Sequence, residues 1–118
     1  MKREELTSLL GSDAPANAAC RAALEQGASF HIWDGSIPAS TLAPAYRRRE
    51  AITRGRGIPT LGFAVAVETL DALGDQPVRL GGVRQLEPPY HFQLFLSADA
   101  TSVLACLAVD QQCQARRR

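Results

Sequence analysis

The sequence has few of the cysteines and histidines that cross-link a small protein or bind a metal ion. Its three cysteines, Cys20, Cys106 and Cys113, are an odd number without CxxC spacing, which argues against a disulfide framework and a structural zinc site. Lysine is scarce too, since Lys2 is the one lysine among 13 basic residues. No segment approaches the roughly 18 to 20 apolar residues that cross a bilayer. We therefore expect three free thiols, no metal site and no membrane contact.

Catalytic motifs are missing as well. The glycine-rich stretch 55–62, GRGIPTLG, lacks both the GK[ST] ending and the preceding strand of a phosphate loop. Ser36 and Ser40 have no nucleophile-elbow context, and the apolar neighbours of Cys106 offer nothing that lowers the pKa of its thiol. The sequence thus favours a protein without catalytic activity and without a cofactor.

The composition that is present is typical of one folded domain. The 118 residues are 46% hydrophobic and 21% charged, and we expect a single domain over 1–118. The net charge of +1 gives no general attraction to nucleic acid or to a membrane. Arginine and alanine have GC-rich codons, so their abundance indicates a bacterial genome of high GC content. The charged N-terminus resembles no signal peptide, which makes the cytoplasm the expected compartment.

Apolar residues fall on alternate positions in much of the second half, as expected of strands with one buried face. This pattern predicts strands over Leu61–Leu70, Val78–Leu86, Tyr90–Ser97 and Ser102–Val109, after a first strand over Ala28–Asp34. Phe63, Val65, Phe92, Leu94 and Leu107 should form one buried layer. A bulge or bend is expected at Gly81–Gly82. One alternative stays open, because residues 102–114 also fit a helix capped by Asp99, Thr101 or Ser102.

The first half predicts two short helices and an irregular centre. Lys2–Leu10 and Ala16–Gln26 have helical composition, and Pro15 suits the first turn of the second helix. The two prolines of Ile37–Pro44 argue against a long regular element there. Ala45–Thr53 has helix-forming composition but is polar on most sides. We expect the central segment, about 35–59, to be exposed and mobile, and the basic tail 110–118 to be frayed.

Together these elements predict an α+β fold, with two short N-terminal helices packed on a curved antiparallel sheet of four to five strands. This order of elements is similar to that of the nuclear-transport-factor-2-like and ketosteroid-isomerase group. The resemblance is architectural and implies a cone-shaped sheet closed by the helices. No motif of that group occurs in the sequence, so the resemblance implies no site residue and no activity.

The leading hypothesis for function is a small bacterial protein-interaction module, such as an adaptor, an inhibitor or an immunity-type protein. Arginine and aromatic residues are typical interface anchors, and they cluster in the central segment. The predicted partner-binding residues are Trp33, Tyr46, Arg47, Arg48, Arg49, Arg54 and Arg56. The low net charge makes nucleic acid an unlikely partner. The partner is thus an unidentified protein, and a homodimer stays open.

The alternative hypothesis is a small-molecule pocket or an enzyme that uses His31, Asp34 and His91. A histidine oriented by a carboxylate can act as a general base. Convergence of the three side chains on one concavity favours this alternative, whereas their separation favours the interaction module.

Overall fold

The computed structural model describes residues 2–11, 14–56, 63–84 and 90–110, without the side chains of 63, 64, 90, 109 and 110. These ranges contain four helices and five strands. In chain order they are α1 (Arg3–Leu9), α2 (Pro15–Glu25), β1 (Ser29–Ile32), β2 (Ile37–Pro38), α3 (Ala39–Gly55), α4 (Phe63–Leu73), β3 (Pro77–Arg84), β4 (Tyr90–Ser97) and β5 (Val103–Asp110). No helix among the described residues is long and apolar enough to cross a membrane.

The strands form one antiparallel sheet in the order β1-β3-β4-β5. Strand β2 pairs with the beginning of β3, on the side where β1 pairs with its end. Helices cover both faces of this sheet, so the molecule has three layers. The predicted α+β class with an antiparallel sheet is confirmed. The sheet is open, and the helices that cover it are not confined to the N-terminus. The cone-shaped sheet closed by N-terminal helices, which the architectural resemblance implied, therefore does not form.

Two hydrophobic cores lie on opposite faces of the sheet. The first packs α1 and α2 against β3, β4 and β5, with Leu6, Cys20, Leu24, Phe92 and Leu94 at its centre. The second packs α3 and α4 against the other face, with Tyr46, Leu70, Phe95 and Leu107 at its centre. The prediction of one buried layer is therefore wrong for Leu107, which lies across the sheet from Phe92 and Leu94.

Helix α4 occupies most of the predicted strand Leu61–Leu70, so that strand prediction is wrong. Ala66, Val67 and Leu70 face the sheet at helical spacing, while Val65 is 56% exposed. Valine on alternate positions next to alanine fits both periods over a few residues. The helix forms because Leu70 continues the period of 3.6 set by Ala66 and Val67, and its side chain is fully buried in the second core.

The predicted irregular centre is also wrong, because Ala39–Gly55 forms the longest helix described. Its first turn is held by the turn before β3: Ala39 N–H donates to the Gln76 carbonyl at 2.9 Å, and Ser40 N–H donates to the Gly74 carbonyl at 2.8 Å. Pro44 lies exposed on the outer side of this helix. Long-range contacts thus fix the beginning of this helix, whereas its later part, Ala45–Thr53, has the helix-forming composition noted in the sequence. Residues 57–59 of the central segment and 111–118 of the basic tail lie outside the described residues.

The other predicted elements are confirmed to within two or three residues at their ends. Strand β5 forms rather than the alternative helix, and β4 pairs with it through a five-residue connection, 98–102. Gly81 and Gly82 pair without a shift in register, so no bulge occurs there. The irregularity lies instead between Phe95 and Leu96.

Candidate functional site

The side chain missing at Gly82 shapes the face of the sheet that carries the second core. Gly82 pairs with His31 on one side and with Gln93 on the other. A Cβ at Gly82 would lie 3.0 Å from His31 Cε1 and 3.3 Å from Trp33 Cη2. Both aromatic rings therefore lean across β3, in the space that any larger residue would take.

The two rings that cover Gly82 pack against each other. Their centroids are 4.6 Å apart at an interplanar angle of 81°, an edge-to-face arrangement. His31 is exposed and the indole of Trp33 is 46% exposed. The end of β1 and the residue after it thus present an exposed aromatic pair to the solvent.

Gln93, the cross-strand partner of Gly82, links β4 to helix α3. Its Oε1 accepts hydrogen bonds from the Tyr46 hydroxyl at 2.7 Å and from Arg49 Nη1 at 2.8 Å. The Arg49 guanidinium also lies 4.9 Å from the centroid of the Tyr46 ring, and the Tyr46 ring packs edge-to-face on Phe95. Tyr46 is only 6% exposed, so it fixes α3 on the sheet and holds Arg49 in place.

Arg84 and His91 occupy the next row of the same face. They are cross-strand partners of β3 and β4, two residues along from the pair Gly82–Gln93. Burial, then the positive charge of Arg84, then that of His31 lower the pKa of His91 below its ordinary value of 6.5. Among the described residues, none of His31, Arg49, Arg84 and His91 forms an ion pair with a carboxylate.

The remaining predicted arginines line the outer surface of α3. Arg47 pairs with Asp71 of α4 at 2.6 Å, and Arg54 pairs with Glu50 one turn earlier. The side chains of Arg48 and Arg56 have no ion pair with a carboxylate within the described ranges. Ile52, which is 52% exposed, lies between them at a spacing of four residues on each side.

Asp34 lies apart from the two histidines. Its carboxylate is fully exposed, 4.0 Å from Arg79 Nη2. Both residues line an open groove of about 780 Å³ on the face of the first core, between α1, the end of β1 and the β4–β5 loop. The structure therefore brings His31 and His91 to one face without Asp34. Within the described ranges no group of three His, Cys, Asp or Glu residues is placed to hold a metal ion.

Gly82, Arg84 and Gln93 are not among the residues that the sequence predicts for a site. Gln93 is a polar residue between Phe92 and Leu94, and alternation along β4 already places it on the face opposite these two. Arg84 and Gly82 become significant only through the register of β3 against both neighbours. Comparison with protein families, with curated proteins and with solved structures finds no match to this chain, so its function is argued from the site alone.

Proposed function

We propose that the protein is a non-catalytic interaction module that docks a partner protein on the outer surface of α3. The supporting observation is the stripe formed by Arg48, Ile52 and Arg56. An exposed isoleucine between two arginines without carboxylate partners is typical of an interface centre with a charged rim. The chemistry fits a partner surface that carries a small apolar pocket with acidic residues beside it.

The ion pairs of α3 favour a protein over a nucleic acid as the partner. Gripping a phosphate backbone requires several free cations along one surface. Arg47 and Arg54 are already paired with Asp71 and Glu50, and Arg49 is hydrogen-bonded to Gln93. Only two arginines of the central segment remain free in the described chain, too few for strong binding to a polyanion at physiological salt.

The test has two stages and uses the whole chain. The protein first serves as bait in a lysate of its native host, and each captured protein is then purified and titrated against it. Ile52→Glu should weaken the complex at least tenfold, because it places a charge in the apolar centre. Ala22→Glu, on an exposed position of α2 on the opposite face, is the matched control and should bind as the parent does.

Two results would overturn the proposal. The first is equal affinity of the Ile52→Glu and Ala22→Glu variants for the purified partner. The second is submicromolar binding to random duplex or single strands at about 0.15 M salt, since non-specific affinities there normally lie in the micromolar range or weaker. Sedimentation of the protein alone tells whether the partner is a second copy of this chain.

A further inference from the structure

We propose that the sheet face over Gly82 is a binding site for a small aromatic anion. The ligand is a phosphate or carboxylate group carried on a planar ring. Arg84 takes the anionic group, and Trp33 stacks on the ring. This site is separate from the stripe on α3 and does not depend on a protein partner.

Basic side chains occupy two neighbouring rows of this face. Arg84 and His91 are cross-strand partners on β3 and β4, and the His31 ring lies over Gly82, one row away. Arg84 is exposed, and its side chain has no ion pair with a carboxylate among the described residues. A bound anion neutralises the Arg84 guanidinium and accepts hydrogen bonds from it and from an imidazole N–H of His91.

The spacing of these groups suits one small anion. Residues two apart on a strand lie about 7 Å apart on the same face, and neighbouring strands are about 4.8 Å apart. His31 and Arg84 are therefore diagonal neighbours on one face of the sheet. Glycine at position 82 leaves room for the His31 ring, because a Cβ there would lie 3.0 Å from His31 Cε1.

An exposed indole lies on the same face as these basic groups. The Trp33 ring packs edge-to-face with His31, and the Trp33 backbone N–H donates to the Leu80 carbonyl at 2.8 Å. The exposed part of the indole is a surface on which a second ring can stack. A ring bearing an anionic substituent engages Trp33 and the basic group together, which a free inorganic anion cannot do.

Trp33 is the single tryptophan of the sequence, so its fluorescence reports on this site directly. The full chain is titrated at pH 7 with AMP and with benzoate, excited at 295 nm to avoid absorption by the ligands. Adenosine and benzyl alcohol are their neutral counterparts. At least one anion should change the fluorescence with saturation, and its neutral counterpart should bind at least tenfold more weakly. A response to AMP identifies the ligand class as a nucleotide, whereas a response to benzoate identifies it as an aromatic acid.

Arg84→Gln should lower the affinity for the responding anion at least tenfold. Arg48→Gln, on the outer surface of α3, is the matched control and should leave it unchanged. Because Arg84 is exposed, the fold of the variant should persist, and circular dichroism checks this. If Arg84→Gln does not fold, His91→Gln takes its place and should also weaken binding. No saturable response to either anion, equal binding of the neutral counterparts, or full affinity in the substituted protein would each refute the site.

Discussion

At the scale of single residues, the absence of a side chain at Gly82 has the largest consequence for the surface. It allows the rings of His31 and Trp33 to lie over β3, within 3.0 to 3.3 Å of where a Cβ would stand. Gly81, one residue earlier, is equally confined, by the His31 carbonyl at 3.1 Å and by Leu96. Two adjacent glycines in a regular strand therefore mark the close approach of a neighbouring strand and its side chains on both faces of the sheet.

His91 should make the stability of the fold depend on pH. Its pKa is lowered in the folded protein, so the unfolded chain binds the proton first as the pH falls below 6.5. The free energy of unfolding should therefore decrease from pH 7 toward the folded-state pKa of His91 and change no further through this group below it. Urea denaturation at several pH values measures this. His91→Gln should flatten that dependence, whereas His31→Gln should keep most of it; equal slopes in parent and His91→Gln would contradict the argument.

At the scale of elements, the sequence predicts the strands whose apolar residues repeat with a period of two. It does not predict the helix whose beginning depends on tertiary contacts. Strands β4 and β5 form where alternation predicts them, although Leu104 and Ala105 of β5 both face the second core at the irregularity opposite Phe95 and Leu96. Helix α3 depends on carbonyls of Gly74 and Gln76 that accept its first N–H groups, and local sequence contains no sign of these contacts. The same holds for the candidate site: His31, Trp33 and His91 are visible as residue types, but their grouping depends on register.

Two substitutions in α4 test whether this segment is the predicted strand or the helix of the structure. A strand over Leu61–Leu70 would bury Val65, whereas the helix leaves it 56% exposed and buries Leu70 completely. Val65→Glu should therefore change the free energy of unfolding by no more than about 0.5 kcal/mol. Leu70→Ala should cost about 2 to 5 kcal/mol, from lost burial and the cavity left behind. Chemical denaturation compares the two, and a severe loss with Val65→Glu would restore the strand.

At the scale of the whole molecule, one sheet joins two cores that share no helix. On β4, Phe92, Leu94 and Leu96 face the first core, whereas Phe95 faces the second. Because each core depends on the same central strands, loss of one face removes the support of the other. We therefore expect the described domain to unfold in one cooperative step, as small single domains usually do.

The buried thiols provide a measure of this cooperativity. Cys20 on α2 and Cys106 on β5 are 0% and 5% exposed, and both are free. A hydrogen bond with Cys20, together with burial, raises the pKa of the Cys106 thiol, so neither its access nor its ionisation permits alkylation in the folded state. Cys113 lies outside the described residues.

We expect Cys20 and Cys106 to react with iodoacetamide only through global unfolding. Their alkylation rates, followed by mass spectrometry without reductant, should rise together with urea, and with the same slope as the equilibrium free energy of unfolding. Fully unfolded protein should show three modified cysteines, whereas a mass two units short would reveal a disulfide. Labelling of both thiols at a rate independent of urea would mean that α2 opens from the sheet by itself, and the two faces would then not unfold as one unit.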